Sequence, residues 1–135
     1  MTFLPAPAVV TVPATSANLG PGFDSLGLAL DLRDALRGSV VPRGLTVTVE
    51  GEGAGAVPLD ESHLVVRAMR ETFVRLDVAP TGLELVCTNR VPHARGLGSS
   101  SAAIVGGIHL ARALVDGGAD RMSDLEAFRL AAELE

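Results

Sequence analysis

Residues 92–102 read Pro92-His93-Ala94-Arg95-Gly96-Leu97-Gly98-Ser99-Ser100-Ser101-Ala102. They join a strand-like run, residues 83–88, to an apolar, helix-like run, residues 102–115. Two glycines and three serines at a strand-to-helix junction have a definite physical meaning. Gly96 and Gly98 let the backbone turn through positive φ and approach a ligand closely, because they carry no Cβ. The serines fall where a helix begins, where unpaired N–H groups and the positive end of the dipole favour an anion. An oligophosphate fits such a cradle. A Gly-Ser loop that merely caps a buried helix fits it too, and a short motif of this kind leaves the two readings level.

The stretch is not a Walker A loop, which needs a lysine reaching the terminal phosphates. The chain contains no lysine, its eleven basic residues all being arginine. That removes P-loop NTPases, protein kinases and Schiff-base enzymes together. A net charge of −5 and an aromatic content of 3%, with no Trp or Tyr, argue against a nucleic-acid surface. The hydrophobic content of 47% over 135 residues is enough for a packed core. Cys87 lies in the strand-like run and reads as a small core residue with no partner for a disulfide. No lysine or arginine precedes Arg33, prolines interrupt the early apolar run, and no window approaches a membrane-spanning length. A cytoplasmic protein with no membrane partner is the expectation.

Working outward, the stretch following the cradle is apolar nearly all round, with Gly106 and Gly107 in its middle. Each glycine costs roughly 1 kcal/mol against alanine, so close packing against a sheet is expected to compensate. His109 on this helix reads as a satisfied core residue, and His93 beside the cradle as a bystander. Ser123-Asp124-Leu125-Glu126 is a capping box that starts a further helix. That helix meets no Gly or Asn stop, and Glu133 and Glu135 in its last turn oppose the dipole, so the sequence reads as the front part of a longer chain. Upstream, residues 63–76 place Val65, Met69, Phe73 and Leu76 on one helical stripe. Residues 45–50 alternate with period two as a half-buried strand, residues 27–32 are an apolar strand, and Val9-Val10-Thr11-Val12, bounded by prolines, suits a sheet edge. Between the first two strands, Gly20-Pro21-Gly22 forces a turn flanked by Asn18 and Asp24. Taken alone, these are ordinary turn formers. The order of elements predicts an α+β fold, a sheet with helices packed on one face.

Two stretches together resemble one family. Pro13-Ala14-Thr15-Ser16-Ala17-Asn18-Leu19-Gly20-Pro21-Gly22-Phe23-Asp24 is similar to the first signature of homoserine kinases, and residues 92–102 to the ATP motif of the wider GHMP kinases to which they belong. The resemblance runs along the whole chain in the same order. It implies a GHMP-kinase N-terminal ATP-binding domain over residues 1–135, of the ribosomal protein S5 domain 2-like fold with a mixed or antiparallel sheet, incomplete at its C-terminal end and lacking the C-terminal domain. It implies Mg²⁺-assisted transfer of phosphate from ATP to the hydroxyl of L-homoserine, on the route to threonine. Residues 92–102 would be the ATP loop, with Ser100 as hydroxyl ligand and Glu133 as carboxylate ligand of Mg²⁺, Glu135 being the rival. Asn18 and Asp24 would face homoserine, Asp24 also being the candidate proton acceptor, and the helix start at His63 would lie near adenine. A homodimer of the full-length chain is a family expectation. Three alternatives stay open: another GHMP small-molecule kinase, a fragment that holds nucleotide without transferring phosphate, and a structural domain with a Gly/Ser turn.

Overall fold

The computed structural model describes residues 2–17, 27–93 and 98–135. Four strands, β1 (Ala8–Ala17), β2 (Gly27–Val40), β3 (Gly44–Gly51) and β4 (Gly82–Asn89), form one sheet in the order β1-β2-β4-β3. β2 runs antiparallel to both β1 and β4, while β3 and β4 are parallel and are connected through helix α1 (Leu64–Arg75). After β4 come α2 (Ser99–Leu114), the single turn α3 (Gly118–Arg121) and α4 (Asp124–Leu134). This is the expected α+β arrangement with a mixed sheet.

The register explains why only one face is covered. Leu36 pairs with Cys87, Val49 with Cys87 and Val10 with Leu36, so period-two alternation puts one apolar set on one side of the sheet. Leu36, Val47, Leu83, Leu85 and Cys87 are buried there against Met69, Phe73, Ile108, Leu110 and Leu114 of α1 and α2. Thr46, Thr48, Arg37 and Glu84 alternate onto the other face and are exposed. The apolar stripe expected on α1 is the one buried, and Phe73 meets Phe3 edge-on with ring centroids 5.6 Å apart.

β1 is an edge strand, as its prolines require: the pairing with β2 slips between Pro13 and Thr15, where proline offers no N–H to the ladder. β2 is longer than its apolar segment, continuing through Arg33, Asp34 and Arg37 to Val40. The arginines can belong to a strand because they fall on its open face, where both are exposed. α2 begins at Ser99 rather than Ala102, because Gly98, at φ 70°, ends the loop and its carbonyl takes the first helical N–H, from Ala102. α3 has four residues, too few to show a period. The capping box of α4 is formed in both directions, Ser123 Oγ accepting from Glu126 N and Glu126 Oε1 from Ser123 N.

Gly106 and Gly107 do different jobs. A Cβ at 106 would stand 2.5 Å from Leu36 Cδ1 and 2.7 Å from Val12 Cγ2, so this glycine lets α2 lie close on the sheet. A Cβ at 107 would stand 2.7 Å from the carbonyl oxygen of Val65, so that one lets α1 lie close on α2. Compensation for glycine in a helix therefore comes from two directions, the sheet and the neighbouring helix.

Candidate functional site

α1 and α2 approach with their N-termini near one another, and a cavity of about 290 Å³ opens between them. Ser62, His63, Leu64 and Val65 line it from the start of α1, and Ser99, Ser100, Ala102 and Ala103 from the start of α2. Asp34, Leu36, Cys87 and Asn89 line it from the sheet, with Val57, Pro58 and His93 contributed by loops. The cradle and the start of α1, 30 or so residues apart in sequence, thus share one cavity.

The two helix starts are finished differently. At α1 the ring of His63 is the cap, Nδ1 accepting from Val65 N at 3.2 Å, and Asp60 holds Ser62 just ahead of it through Ser62 N at 2.9 Å. At α2 the capping residue is Gly98, which has no side chain with which to accept anything. The first-turn N–H groups of this 16-residue helix have no intrahelical acceptor, and Ser99 and Ser100 sit at the cavity wall. A helix start left without a side-chain acceptor, with hydroxyls beside it, has the chemistry to receive an anion.

Gly98 also joins the first strand to the cradle. A Cβ there would fall inside van der Waals contact of Thr15 Oγ1. Thr15 belongs to the signature read at residues 13–24, so the two motifs meet at this point. Asn18 and Asp24 lie outside the described residues, as do Ala94, Arg95, Gly96 and Leu97. Pro92 is half-buried, His93 is exposed against the loop at Gly53, and Ala102 is buried beneath the cradle.

α4 brings its acidic end to the same place. Ser101 Oγ donates to Glu135 Oε1, and Leu134 lies beside Ile104. Glu133 turns aside to Arg75, whose NH2 is 2.5 Å from Oε2 in an exposed ion pair. An exposed pair of this kind is worth between zero and about 1 kcal/mol, so it exchanges readily. Among the described residues, no three His, Cys, Asp or Glu side chains cluster as a ready cation site.

Cys87 is 1% exposed, and burial, then the negative charge of Asp34, push its thiol up to about 12. It is a core residue, as its surroundings in sequence suggested, and no nucleophile at neutral pH. His109 is half-buried, not core: its Nδ1 lies 3.0 Å from Arg112 NH2. Asp34 is the residue that sequence reading missed. It is 6% exposed, and its Oδ1 accepts from Arg90 N at 2.7 Å and Val91 N at 2.8 Å.

Burial lowers the pKa of His63 below its ordinary 6.5, and the neutral ring is the one whose Nδ1 can accept from Val65 N. A depressed folded pKa means that the unfolded chain binds more protons between the two values. The stability contributed by His63 is therefore complete above about pH 6.5 and lost as pH falls from there toward the folded value. His109 is displaced in the same direction, by burial first and Arg112 second. Thermal denaturation between pH 7.5 and 5.5 is expected to show a falling midpoint. His63→Asn, which keeps a capping side chain but does not titrate, is expected to flatten part of that fall; an unchanged slope would remove His63 as a contributor.

The GHMP kinases N terminal domain family matches residues 63–135, and the chain belongs to that family. Homoserine kinase from Streptomyces coelicolor is 54% identical over 133 residues, which cover 98% of this chain and 43% of that protein. Homoserine kinase from Mycolicibacterium smegmatis is 51% identical over 129 residues, 95% of this chain and 41% of that one. The chain thus spans less than half the length of these relatives. Among solved structures, homoserine kinase from Cytophaga hutchinsonii matches with a TM-score of 0.81 at 30% identity, over 96% of this chain and 41% of that one. Mevalonate kinase from Methanococcus jannaschii shares the fold, with a TM-score of 0.70 at 17% identity over 96% of this chain and 46% of that one. Among the described residues, no helix is long and apolar enough to cross a membrane.

Proposed function

We propose that this chain is the nucleotide-binding N-terminal domain, over residues 1–135, of a homoserine kinase that transfers phosphate from ATP to the hydroxyl of L-homoserine. The observation that carries the nucleotide part is the uncapped start of α2 opening with Ser99 and Ser100 onto the shared cavity. Choice of homoserine over mevalonate or a sugar is supported by the 54% and 51% identities to homoserine kinases and by the signature at residues 13–24.

In this reading, backbone N–H groups and serine hydroxyls at the start of α2 hold the phosphates, and the apolar cavity wall of Leu36, Val57, Pro58 and Val65 receives the nucleoside. Phosphoryl transfer requires positioning and charge neutralisation more than covalent help, so preorganised donors can act without a lysine. The Ser101 hydroxyl of α2 and the Glu135 carboxylate at the end of α4 meet beside the cradle, which brings the two elements that carry hard-oxygen donors suited to Mg²⁺ together. Ser100 and Glu133, each one or two residues from that pair in sequence, are assigned to hold it, which requires Glu133 to leave its exposed pair with Arg75. When bound, Mg²⁺ would neutralise charge developing on the transferred phosphate. Asn18 and Asp24 are assigned to homoserine, with Asp24 accepting the hydroxyl proton. In sequence both fall between the end of β1 at Ala17 and the start of β2 at Gly27. A homodimer of the full-length protein and a cytoplasmic location belong to the same reading.

Calorimetric titration with a non-hydrolysable ATP analogue, with and without Mg²⁺, tests it. Binding is expected to strengthen with Mg²⁺, and that gain to be lost in Ser100→Ala and Glu133→Gln but kept in Glu135→Gln. A folded chain that binds no nucleotide would overturn the assignment. For the full-length protein, equal turnover of homoserine, mevalonate and galactose would overturn the choice of substrate.

A further inference from the structure

Asp34 stands where a carboxylate is costly. It lies on the covered face of β2, opposite Val12 in register and 6% exposed, and such a group is kept only where its oxygens are used. What uses it is the backbone that leads out of β4. Asn89 is the last residue of that strand, and the next two N–H groups, those of Arg90 and Val91, both donate to Asp34 Oδ1. Pro92 and the cradle follow at once. Two charge-assisted bonds from adjacent N–H groups to one oxygen define both the position and the direction of the turn. The other side of the corner is pinned too: Glu52 N donates to the carbonyl oxygen of Asn89 at 3.0 Å, and Asn89 Nδ2 donates to that of Glu52 at 3.1 Å. Val91, beyond the corner, is fully buried. Asp34 lines the same cavity as Ser99 and Ser100.

The geometry points to Asp34 as a positioning residue of the phosphate site. It acts through the Arg90-Val91 corner, fixing where the chain enters residues 92–102. The inference rests on the nucleotide reading above and adds a specific consequence: loss of the carboxylate harms recognition of phosphate and spares recognition of the nucleoside. A role in stability alone harms both or neither.

The test is calorimetric titration of the chain and its Asp34→Ala and Asp34→Asn variants with a non-hydrolysable ATP analogue and, separately, with adenosine. Asp34→Ala is expected to weaken the triphosphate by about tenfold or more and adenosine by less than about threefold. Asp34→Asn, whose amide oxygen can accept both N–H groups, is expected to regain most of the loss. Hydrogen exchange at the Arg90 and Val91 amides is expected to quicken in Asp34→Ala and not in Asp34→Asn. If Asp34→Ala does not fold, Asp34→Glu takes its place, since one added methylene displaces the acceptor while keeping the charge, and the same phosphate-selective loss is expected. Unchanged triphosphate affinity, an equal loss for both ligands, or no recovery in Asp34→Asn would overturn the inference. Absence of triphosphate binding by the unaltered chain would instead overturn the nucleotide reading, and this inference with it.

Discussion

Gly98→Ala is expected to lower nucleotide affinity by about hundredfold while leaving most of the fold in place. Gly98 sits at φ 70° as the capping residue of α2, a conformation that costs alanine about 1 kcal/mol or more. Its Cβ would also press into Thr15 Oγ1, on a strand held by its pairing with β2. Overpacking of this kind costs about 1–3 kcal/mol, so the two effects together reach about 3 kcal/mol, or roughly two orders of magnitude in a binding constant. The chain can escape by unwinding the first turn of α2, which is the turn that carries Ser99 and Ser100 at the cavity wall. Thr15→Ala separates the two effects. Added to Gly98→Ala it is expected to relieve the contact and leave the backbone cost, recovering about tenfold of the loss, and the difference from additivity measures their coupling. Calorimetry of the two single variants and the double variant reads this directly. Near-native binding by Gly98→Ala would show that the first turn of α2 does not depend on this glycine.

The parts of the molecule legible in sequence are those whose cause is local. Alternation in residues 45–50 and the strand-like run 83–88 give two strands, the stripe Val65, Met69, Phe73, Leu76 gives α1, and Ser123 with Glu126 gives the start of α4, because each is set by neighbours within a turn or a pleat. The strand-to-helix junction after β4 is legible for the same reason, its glycine at 98 ending the loop and its serines opening α2. What escapes is set by distant partners. Asp31-Leu32-Arg33-Asp34 looks like the solvated end of a strand, and only the N–H groups of Arg90 and Val91, 56 and 57 residues on, make Asp34 an interior residue. His63 as a cap is equally hidden, since histidine is not among the usual capping residues. The two acidic residues at the end of α4 could be placed near the cradle by resemblance, but which of them meets a serine and which an arginine depends on how α4 lies against α1 and α2.

Gly107→Ala is expected to cost the fold about 2 kcal/mol, whereas Gly106→Ala is expected to be close to neutral, although the two residues are adjacent on one buried helix. Both substitutions gain about 1 kcal/mol of helix propensity. At Gly106 the new methyl meets Leu36 Cδ1 at 2.5 Å and Val12 Cγ2 at 2.7 Å, both ends of side chains, and a rotation of Leu36 with a small shift at Val12 offsets that gain without moving a backbone. At Gly107 it meets the carbonyl oxygen of Val65 at 2.7 Å and Cβ of Ala68 at 2.8 Å, with Met69 N at 3.5 Å, so relief requires α1 to move bodily away from α2. Separating two packed helices costs about 3 kcal/mol, which leaves a net loss near 2 kcal/mol and a fall in melting temperature of about 6–10 °C for a domain of this size. The loss also reaches the site. Ser62, His63 and Val65 of one wall ride on α1, while Ser99 and Ser100 of the other ride on α2, so moving α1 widens the cavity between them. Nucleotide affinity is therefore expected to fall in Gly107→Ala and to hold in Gly106→Ala. Equal melting temperatures and affinities in the two variants would mean that the spacing of α1 and α2 does not depend on the glycine between them.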